Sequence, residues 1–370
     1  MSSALFTPFS LRSVEFANRI GISPMCQYSS RDGYASDWHL VHLGGFAKGG
    51  AGLVMFEASA VTPQGRISPG DLGIWKDDHI DGLERIVKFV HSQGARVGIQ
   101  LAHAGRKASM SIPFGGEHLL TPEDGGWETI APSDVAFSEN YSLPRALDQA
   151  GIDAVVQAFR QAARRALDAG FDLIEIHAAH GYLLHQFLSP LSNQRSDAYG
   201  GSFENRIRLL TEVLTAVRKE WPANLPVLVR ISATDWADGG WTPDDSVDLA
   251  RLLKGLGVDL VDVSSGGMVP YAKIPVGPGY QVHLAARIRR EAGIATAAVG
   301  MITEATQAET IVTNGEADMV LLGREVLRNP NWPLHTAATL KEQASWPVQY
   351  LRAAPKGSIA RSAVGRLTSE

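Results

Sequence analysis

The chain of 370 residues contains a single cysteine, Cys26, so no disulfide can form within it. A chain of this kind is stabilised by its hydrophobic core and suits a reducing compartment. No apolar run approaches the roughly 20 residues that a membrane-spanning helix needs. The first residues also lack a basic segment followed by an apolar one, so we expect no signal peptide and a cytoplasmic location.

An excess of positive charge is absent as well. The 34 Lys and Arg residues are outnumbered by 39 Asp and Glu residues, which gives a formal net charge of -5. The corresponding pI of about 6.1 argues against a nucleic-acid partner. No early G-x-G-x-x-G follows a strand pattern, and this argues against an open dinucleotide-binding sheet. We therefore expect small-molecule partners, and neither a nucleic acid nor a membrane.

The chain does contain a regular alternation of strand-like and helix-like patterns. Short apolar runs are each followed by a helical pattern, about eight times in all. Such alternation predicts an α/β fold, namely a closed TIM (β/α)8 barrel, with an open doubly wound sheet as the alternative. We expect one domain over residues 1–355 and a polar, mobile tail over 356–370. The predicted strands are 19–23, 53–57, 97–101, 173–177, 227–231, 260–263, 297–299 and 319–322.

One segment interrupts this alternation. Residues 105–147 follow the third predicted strand and are rich in glycine, proline and serine. A loop of this length in a compact domain is usually functional or has a small structure of its own. We expect it to form a lid over the mouth of the barrel.

The stretch from Leu173 to Pro190 carries the most distinctive chemistry. A buried strand pattern, with Glu175 inside it, ends at His177, and His180 and Tyr182 follow within one turn. Two imidazoles and a phenol that converge could hold a carbonyl oxygen and deliver a proton. His-x-x-His also occurs in metal sites and in packed cores, so this stretch alone leaves both alternatives open. Further along, His185 lies in a predicted helix, and we interpret it as structural.

Residues at other strand ends belong to the same mouth, because the loops after the strands of such a barrel share one face. Gly300 and Gly323 follow the last two strands where helices are predicted to begin, and Arg324 comes next. Backbone N–H groups at such points can hold a phosphate, although glycine is also common in plain loops. Gln100 and Arg230 end two other strands, and their amide and guanidinium suit a pyrimidine-like ring that becomes anionic on reduction. Flavin mononucleotide (FMN) combines such a ring with a phosphate.

Several motifs together resemble the Old Yellow Enzyme family of FMN-dependent ene-reductases, and within it the Cys-containing, thermophilic-like subclass that includes xenobiotic reductases. They span nearly all of residues 5–352, and the run from His177 to Arg206 is the most specific. The motifs are P-M-C-Q-Y at 24–28, E-A-S-A-V-T-P-Q-G-R at 57–66, Q-L-A-H-A-G-R at 100–106, H-A-A-H-G-Y-L-L-H-Q-F-L-S-P at 177–190, N-Q-R-S-D-A-Y-G-G-S-F-E-N-R at 193–206, V-G-M-I-T and G-R-E-V-L-R-N-P.

The resemblance implies FMN in the barrel mouth and NADPH or NADH as the electron donor. His177 and His180 would hold the carbonyl oxygen of an activated alkene while flavin N5 gives a hydride to the β-carbon and Tyr182 protonates the α-carbon. The implied activity is that of an NADPH dehydrogenase or ene-reductase acting on α,β-unsaturated carbonyl compounds. The residues that the resemblance places around FMN are Pro24, Met25, Cys26, Ala58, Gln100, His177, Arg230, Gly300, Gly323 and Arg324.

Three more roles follow from the resemblance. Cys26 would tune the redox potential of the flavin rather than act as a nucleophile, although a lone cysteine is often only a small buried side chain. Tyr28 would contact the substrate, unless it is an ordinary aromatic residue of the mouth. Arg352 would reach the active site of a neighbouring subunit, which implies a homodimer or homotetramer; the alternative is a solvated charge near the C-terminus.

Other functions remain open at this point. A metal-dependent barrel lyase or hydrolase would use His177 and His180 as ligands, and it would need further ligands that Glu57 and Asp262 do not obviously supply. A non-catalytic flavin-binding protein would give Tyr182 and the histidines no reason to converge. The related 2,4-dienoyl-CoA-type reductases usually carry an iron–sulfur cluster, which a single cysteine excludes.

Overall fold

The strands of the computed structural model, which describes residues 3–361, fall into one barrel and three small ribbons. Eight of them, β3, β4, β5, β8, β9, β10, β11 and β12, pair in parallel in this order, and β12 pairs with β3 to close the barrel. The predicted TIM (β/α)8 barrel is therefore confirmed. In chain order the strands are β1 (Phe9–Leu11), β2 (Val14–Phe16), β3 (Ile20–Ile22), β4 (Leu53–Ala60), β5 (Arg96–Ala102), β6 (Ile130–Ala131), β7 (Arg145–Ala146), β8 (Leu173–Ala178), β9 (Val227–Ser232), β10 (Leu260–Ser264), β11 (Ala295–Val299), β12 (Met319–Leu322), β13 (Ser345–Pro347) and β14 (Ile359–Arg361).

Helices connect the barrel strands and surround them. Their ends carry local signals: Thr242 forms a capping box with Asp245 at the start of α7, and α8 ends at Gly293, whose φ is +64°. None of the helices in residues 3–361 is both long and apolar enough to cross a membrane. The helices are α1 (Asp37–Lys48), α2 (Ile80–Ser92), α3 (Gln149–Asp168), α4 (Leu183–Leu188), α5 (Phe203–Arg206), α6 (Arg208–Glu220), α7 (Pro243–Gly255), α8 (Val282–Ala292), α9 (Ala305–Thr313), α10 (Arg324–Arg328) and α11 (Trp332–Thr339).

Alternation along each strand divides the buried residues into two cores. Ile174 and Ile176 on β8 belong to the large core between the strands and the helices. Leu173, two residues away from Glu175 along the strand, belongs to a smaller apolar cluster inside the barrel. Phe16 of the β1–β2 hairpin joins that cluster, which closes the end of the barrel where the strands begin. The inside of the barrel is thus apolar at that end, and the polar side chains lie nearer the mouth.

The structure departs from the sequence-based element bounds at a few points. A bulge between Phe56 and Ala58 extends β4 to Ala60, so Ala58 lies within the strand rather than after it. The helical sequence pattern over residues 204–220 forms two helices, α5 and α6, with a break at Ile207. The β1–β2 hairpin was not predicted at all.

The insertion 105–147 contains only short structures. It has three turns of 3-10 helix and the two-residue strands β6 and β7, which pair with each other. At the other end of the chain, β14 pairs with β13, and the Arg361 guanidinium donates to the carbonyl oxygen of Ala47 at 3.0 Å. The rest of the predicted mobile tail, residues 362–370, lies outside the described residues.

Candidate active site

A cavity of about 470 Å³ opens at the mouth of the barrel, where the strands end. A volume in this range suits a small organic ligand. Four of the predicted cofactor residues line it together, although they come from three distant parts of the chain. These are Arg230, Gly300, Gly323 and Arg324.

His177 stands at the inner edge of this mouth. It pairs in register with Arg230 of the neighbouring strand, and its Nδ1 accepts a hydrogen bond from the Ala179 N–H at 3.3 Å. Burial, with Arg230 as the next cause, holds the pKa of His177 well below its usual value. The ring is therefore neutral near pH 7, and because Nδ1 accepts, its one proton lies on Nε2. His177 can thus donate one hydrogen bond without carrying a charge.

His180 is held in a left-handed backbone conformation, with φ at +58°. Its N–H donates to Ser232 Oγ at 2.9 Å, and its Nε2 lies 2.7 Å from Ser264 Oγ. Burial and then Arg230 also lower the pKa of His180 well below its usual value, so this ring is neutral as well. The rings of His177 and His180 lie 5.1 Å apart between centroids and stand nearly perpendicular. The pair forms a neutral hydrogen-bonding site, and neutral imidazoles can polarise a carbonyl group.

The turn after His180 depends on Gly181. Its φ is +73°, and a Cβ at this position would lie 2.1 Å from the carbonyl oxygen of Gly267. Its N–H donates to His185 Nδ1 at 2.9 Å, and His185 Nε2 in turn lies 2.9 Å from Asp235 Oδ1. Both His185 and Asp235 are fully buried. These contacts give His185 a specific structural role, because it holds the turn that carries His180 and Tyr182.

Tyr182 lies beside this pair, with its ring centroid 5.1 Å from that of His177. Burial, followed by the charges that Cys26 and Tyr28 would carry when ionised, raises the pKa of Tyr182 well above its usual value. The phenol is therefore fully protonated at neutral pH. A protonated phenol beside two neutral donors is able to deliver a proton to a bound molecule.

Lys107, which follows the Q-L-A-H-A-G-R motif directly, was missed by the sequence analysis. Its Nζ donates to the carbonyl oxygens of His180, at 3.0 Å, and Gly267, at 3.2 Å, and lies 5.2 Å from the centre of the Tyr182 ring. Burial, and next the neighbouring Arg106, lower the pKa of Lys107 to about 8. The insertion 105–147 thus contacts the turn that carries His180 and Tyr182 through its first residues. The only local signal was a lysine beside a recognised motif.

The loop after β3 carries Cys26 and Tyr28. It is held by Glu57, whose Oε1 accepts from the Gln27 N–H at 3.1 Å. Tyr28 has a φ of +51°, and its ring packs edge-on against Phe114 of the insertion, 6.0 Å away between centroids. Burial, and then the charges of Asp71 and Glu57, raise the pKa of the Cys26 thiol well above its usual value. A thiol that resists ionisation is a poor nucleophile, which argues against a covalent role for Cys26.

The residues of the mouth fit FMN by their chemistry. Arg230 is buried, and its guanidinium gives the inner part of the cavity a permanent positive charge. Arg324 and Arg328 also line the cavity, and Arg324 is exposed, as a residue that binds a phosphate group would be. Gly323 leaves room beside Met25, since a Cβ there would meet nothing nearer than the Met25 sulfur at 3.7 Å. A ring that gains negative charge and a phosphate would each find a cation in this cavity.

Gly300 requires a correction. It was expected where a helix begins, but α9 begins five residues later, at Ala305. Gly300 is instead a turn residue with φ at +124°, and a Cβ on it would lie 2.9 Å from both the Tyr280 ring and the Gln281 amide. Its place in the cavity wall therefore depends on close packing and not on a helix terminus.

The remaining predicted site residues lie at different distances from this cavity. Ala58 and Tyr182 line a second, small cavity, and Gln100 donates from Nε2 to Glu175 Oε1 at 2.7 Å inside the barrel. Arg352 is exposed and lies in the turn 348–353, where Tyr350 OH accepts a hydrogen bond from Lys48 Nζ. Lys48 ends α1 at the opposite end of the barrel from the mouth. Arg352 is therefore not part of the mouth of its own chain.

The metal alternative needs a third ligand beside His177 and His180. Across residues 3–361 there is no group of three His, Cys, Asp or Glu side chains that could hold a metal ion together. The polar neighbour of the His180 ring is instead the hydroxyl of Ser264. The arrangement favours hydrogen bonding to a ligand oxygen over metal coordination.

Comparisons with known proteins agree with the barrel fold. A sequence model of the NADH:flavin oxidoreductase / NADH oxidase family matches residues 4–343. An NADPH dehydrogenase of Geobacillus sp. (strain WCH70) is 52% identical over 354 residues, which are 95% of this chain and 99% of that protein.

Two solved structures share the fold. A morphinone reductase solved in complex with tetrahydroNAD has a TM-score of 0.75 at 27% identity, over 98% of this chain and 99% of its own. A 2-naphthoyl-CoA reductase solved with 2-naphthoyl-CoA has a TM-score of 0.83 at 25% identity over 92% of this chain, which spans 52% of that longer protein.

Proposed function

Because the chain belongs to the NADH:flavin oxidoreductase / NADH oxidase family, that of the Old Yellow Enzymes, we propose that it is an ene-reductase of α,β-unsaturated carbonyl compounds. As a member of this family it is an FMN-dependent oxidoreductase that takes electrons from NADPH or NADH. The finer proposal concerns the molecule that receives them. It is an alkene activated by a carbonyl or a related electron-withdrawing group.

The observation that supports this proposal most is the convergence of two neutral imidazoles and one protonated phenol. FMN, when bound, supplies the hydride. His177 and His180 bind the carbonyl oxygen of the substrate, where negative charge grows as the hydride arrives at the β-carbon. Neutral donors suit this task, because a neutral imidazole is able to polarise a carbonyl group. Tyr182 keeps its proton until it is delivered to the α-carbon.

The surrounding residues complete the proposed site. Gln100 and Arg230 bind the ring of FMN, Arg324 binds its phosphate, and Tyr28 contacts the substrate. The insertion 105–147 acts as the lid, since Lys107 and Phe114 already contact the His180 turn and Tyr28. The lone cysteine supports a cytoplasmic location.

We place Arg352 in the active site of a neighbouring subunit within a homodimer or homotetramer. In its own chain Arg352 lies near the end of α1 that is remote from the mouth. Only a second copy could bring this guanidinium to a mouth. The subunit contact would then lie at or near three exposed side chains, namely Trp38 and Val41 on α1 and Tyr350 in the turn that carries Arg352.

The test is an anaerobic absorption experiment on the purified protein. We expect a flavin band that bleaches with NADPH and returns when 2-cyclohexenone is added. Tyr182→Phe should leave the bleaching rate unchanged and slow the return by about 10²- to 10⁴-fold, the range for a lost general acid. Tyr199→Phe, which removes another buried phenol that bonds to Gln149 and Glu212, is the matched control and should change neither step.

The possible contrary results separate the parts of the proposal. A flavin band that NADPH bleaches but no enone restores would contradict ene-reduction while leaving the family assignment intact. Equal slowing of both steps in Tyr182→Phe would contradict the role of Tyr182 as proton donor.

A further inference from the structure

A layer of four polar side chains lies inside the barrel, between the apolar cluster at one end and the mouth at the other. Gln100 on β5 pairs in register with Glu175 on β8, and Arg230 on β9 pairs with Asp262 on β10. Glu175 and Asp262 are fully buried, and Gln100 and Arg230 nearly so. Charged groups this deep in a protein interior require partners or a changed protonation state. The role proposed for Gln100 and Arg230 explains two members of the layer, but Glu175 and Asp262 have no role in it.

The hydrogen bonds of this layer are incomplete. Arg230 Nε lies 3.0 Å from Asp262 Oδ2, an ion pair whose atoms are not aligned for a hydrogen bond. Among the described residues, Glu175 Oε2 and both oxygens of Asp262 have no hydrogen-bond partner. Two carboxyl groups thus share one guanidinium, and if both were ionised the layer would carry an uncompensated negative charge. Keeping one proton on a carboxyl group makes the layer neutral.

The titratable and polar groups around Glu175 come from its own strand and three others. They are Arg230 on β9, Asp262 on β10, the neutral Gln100 on β5 and, toward the mouth on β8 itself, the neutral His177. Glu57 on β4 is engaged elsewhere, with the Gln27 N–H and His39. The strands β3, β11 and β12 contain no titratable residue.

The balance of these groups favours a protonated Glu175. Burial, followed by repulsion from Asp262, raises the pKa of Glu175 to about 8, against the opposing effects of Arg230 and Gln100. Burial also raises the pKa of Asp262, to about 6, where Arg230 opposes it. Because the Arg230 guanidinium lies against Asp262, while Glu175 faces the neutral Gln100 amide, the proton resides on Glu175 at neutral pH and Arg230 pairs with an ionised Asp262. Above pH 8 the layer gains a negative charge.

The orientation of Gln100 also depends on Glu175. Gln100 Nε2 donates to Glu175 Oε1 at 2.7 Å, so the amide nitrogen faces the carboxyl group. The amide oxygen is then left to accept from another donor. The pyrimidine ring of FMN offers one donor on its edge, the N3–H, between two carbonyl oxygens. This orientation therefore presents to a flavin the acceptor that it needs.

We propose that Glu175 is a positioning residue for the flavin: it orients the Gln100 amide, and its ionisation couples the reduction potential of the flavin to pH. The inference rests on the proposed placement of FMN above Gln100 and Arg230. When Glu175 starts ionised, two electrons from the donor and one proton enter the flavin, and a second proton enters the Glu175 carboxylate. When Glu175 starts protonated, the second proton is not taken up.

The test of the coupling is the reduction potential of the holoenzyme, measured with reference dyes from about pH 6 to 10. One extra proton for two electrons changes the equilibrium constant tenfold per pH unit, which is about 30 mV for a two-electron couple. Over the pH unit above about 8, wild type should therefore fall about 30 mV further than Glu175→Gln. The two slopes should agree below pH 7. Equal slopes across the whole range would overturn the coupling.

Two further variants locate the effect. Asp262→Asn removes the repulsion on Glu175, so the break in the slope should move to lower pH; an unmoved break would overturn the pairing. Asp172→Asn is the matched control, because Asp172 lies just before β8, at the opposite end of the barrel, where it accepts from the Val97 N–H. It should keep the wild-type slope.

If Glu175→Gln does not hold FMN, infrared difference spectra of the wild type decide: reduction at about pH 9 should produce a protonated-carboxyl band, and its absence would overturn the coupling.

The orienting role has a separate readout in FMN affinity. Glu175→Gln retains an oxygen that can accept from Gln100, so its FMN dissociation constant should stay within a few-fold of wild type. Glu175→Ala leaves the buried Gln100 amide without a partner and should raise the constant about tenfold. Equal constants for the two variants would overturn the orienting role. No alkene enters these measurements, so inactivity toward enones would contradict only the proposed function, whereas a wild type that binds no flavin would contradict both.

Discussion

Replacing Gly181 with alanine should damage both the stability and the chemistry of the site. Gly181 has a φ of +73°, and its Cβ would lie 2.1 Å from the carbonyl oxygen of Gly267. A left-handed backbone costs an L-residue about 1–2 kcal/mol. Overpacking against a backbone that cannot move freely adds about 1–3 kcal/mol. We therefore expect Gly181→Ala to lower the free energy of unfolding by about 2–5 kcal/mol in total.

Gly201 provides a matched control for this substitution. Its φ is +79°, almost that of Gly181, but a Cβ there would meet nothing within 4 Å. Gly201→Ala should therefore lower the free energy of unfolding by only the conformational cost of about 1–2 kcal/mol. Urea unfolding of both variants isolates the contact with Gly267. A Gly181→Ala protein no less stable than Gly201→Ala would refute the reasoning.

The same substitution tests the link between the turn and the reaction. Gly181 separates His180 from Tyr182, so a movement of residue 181 that relieves the contact with Gly267 shifts these two neighbours as well. A displacement of about 1 Å at a catalytic group can lower a rate by about 100-fold. We expect re-oxidation of the flavin by an enone to slow by this order in Gly181→Ala and to be unchanged in Gly201→Ala. An unchanged rate in both would show that the turn need not be held where it is.

Two further substitutions test single residues. Cys26→Ala should shift the flavin potential and the Michaelis constant for the enone while activity persists, because the thiol is held protonated; complete inactivation with FMN still bound would instead indicate a covalent role. Arg352→Ala should raise the Michaelis constant without changing the unfolding midpoint, since the side chain is exposed within its own chain. Identical steady-state constants in wild type and Arg352→Ala would show that this residue does not enter a neighbouring mouth.

Much of the architecture followed from local patterns. A parallel strand buried on both faces is a short apolar run, and the helices between such runs have their own periodicity and end signals. The bounds of β8 and β12 were therefore predicted to within a residue. Convergence of His177, His180 and Tyr182 was also predictable, because one strand end and one turn carry all three. Where the pattern was interrupted, as in the β4 bulge, the prediction was poorer.

The sequence by itself thus determined the barrel and the residue types at its mouth, while the tertiary structure decided their partners. Ser264 contacts His180 and Asp262 opposes Glu175 from more than 80 positions away in the chain. The Gly267 carbonyl, equally distant in the chain, leaves no room for a side chain at position 181. Lys107 donates to the His180 carbonyl from the insertion. Periodicity and turn preference act over a few residues, so a sequence expresses them directly. Contacts between distant strands depend on register and on closure of the barrel, and so do the protonation states that these contacts set.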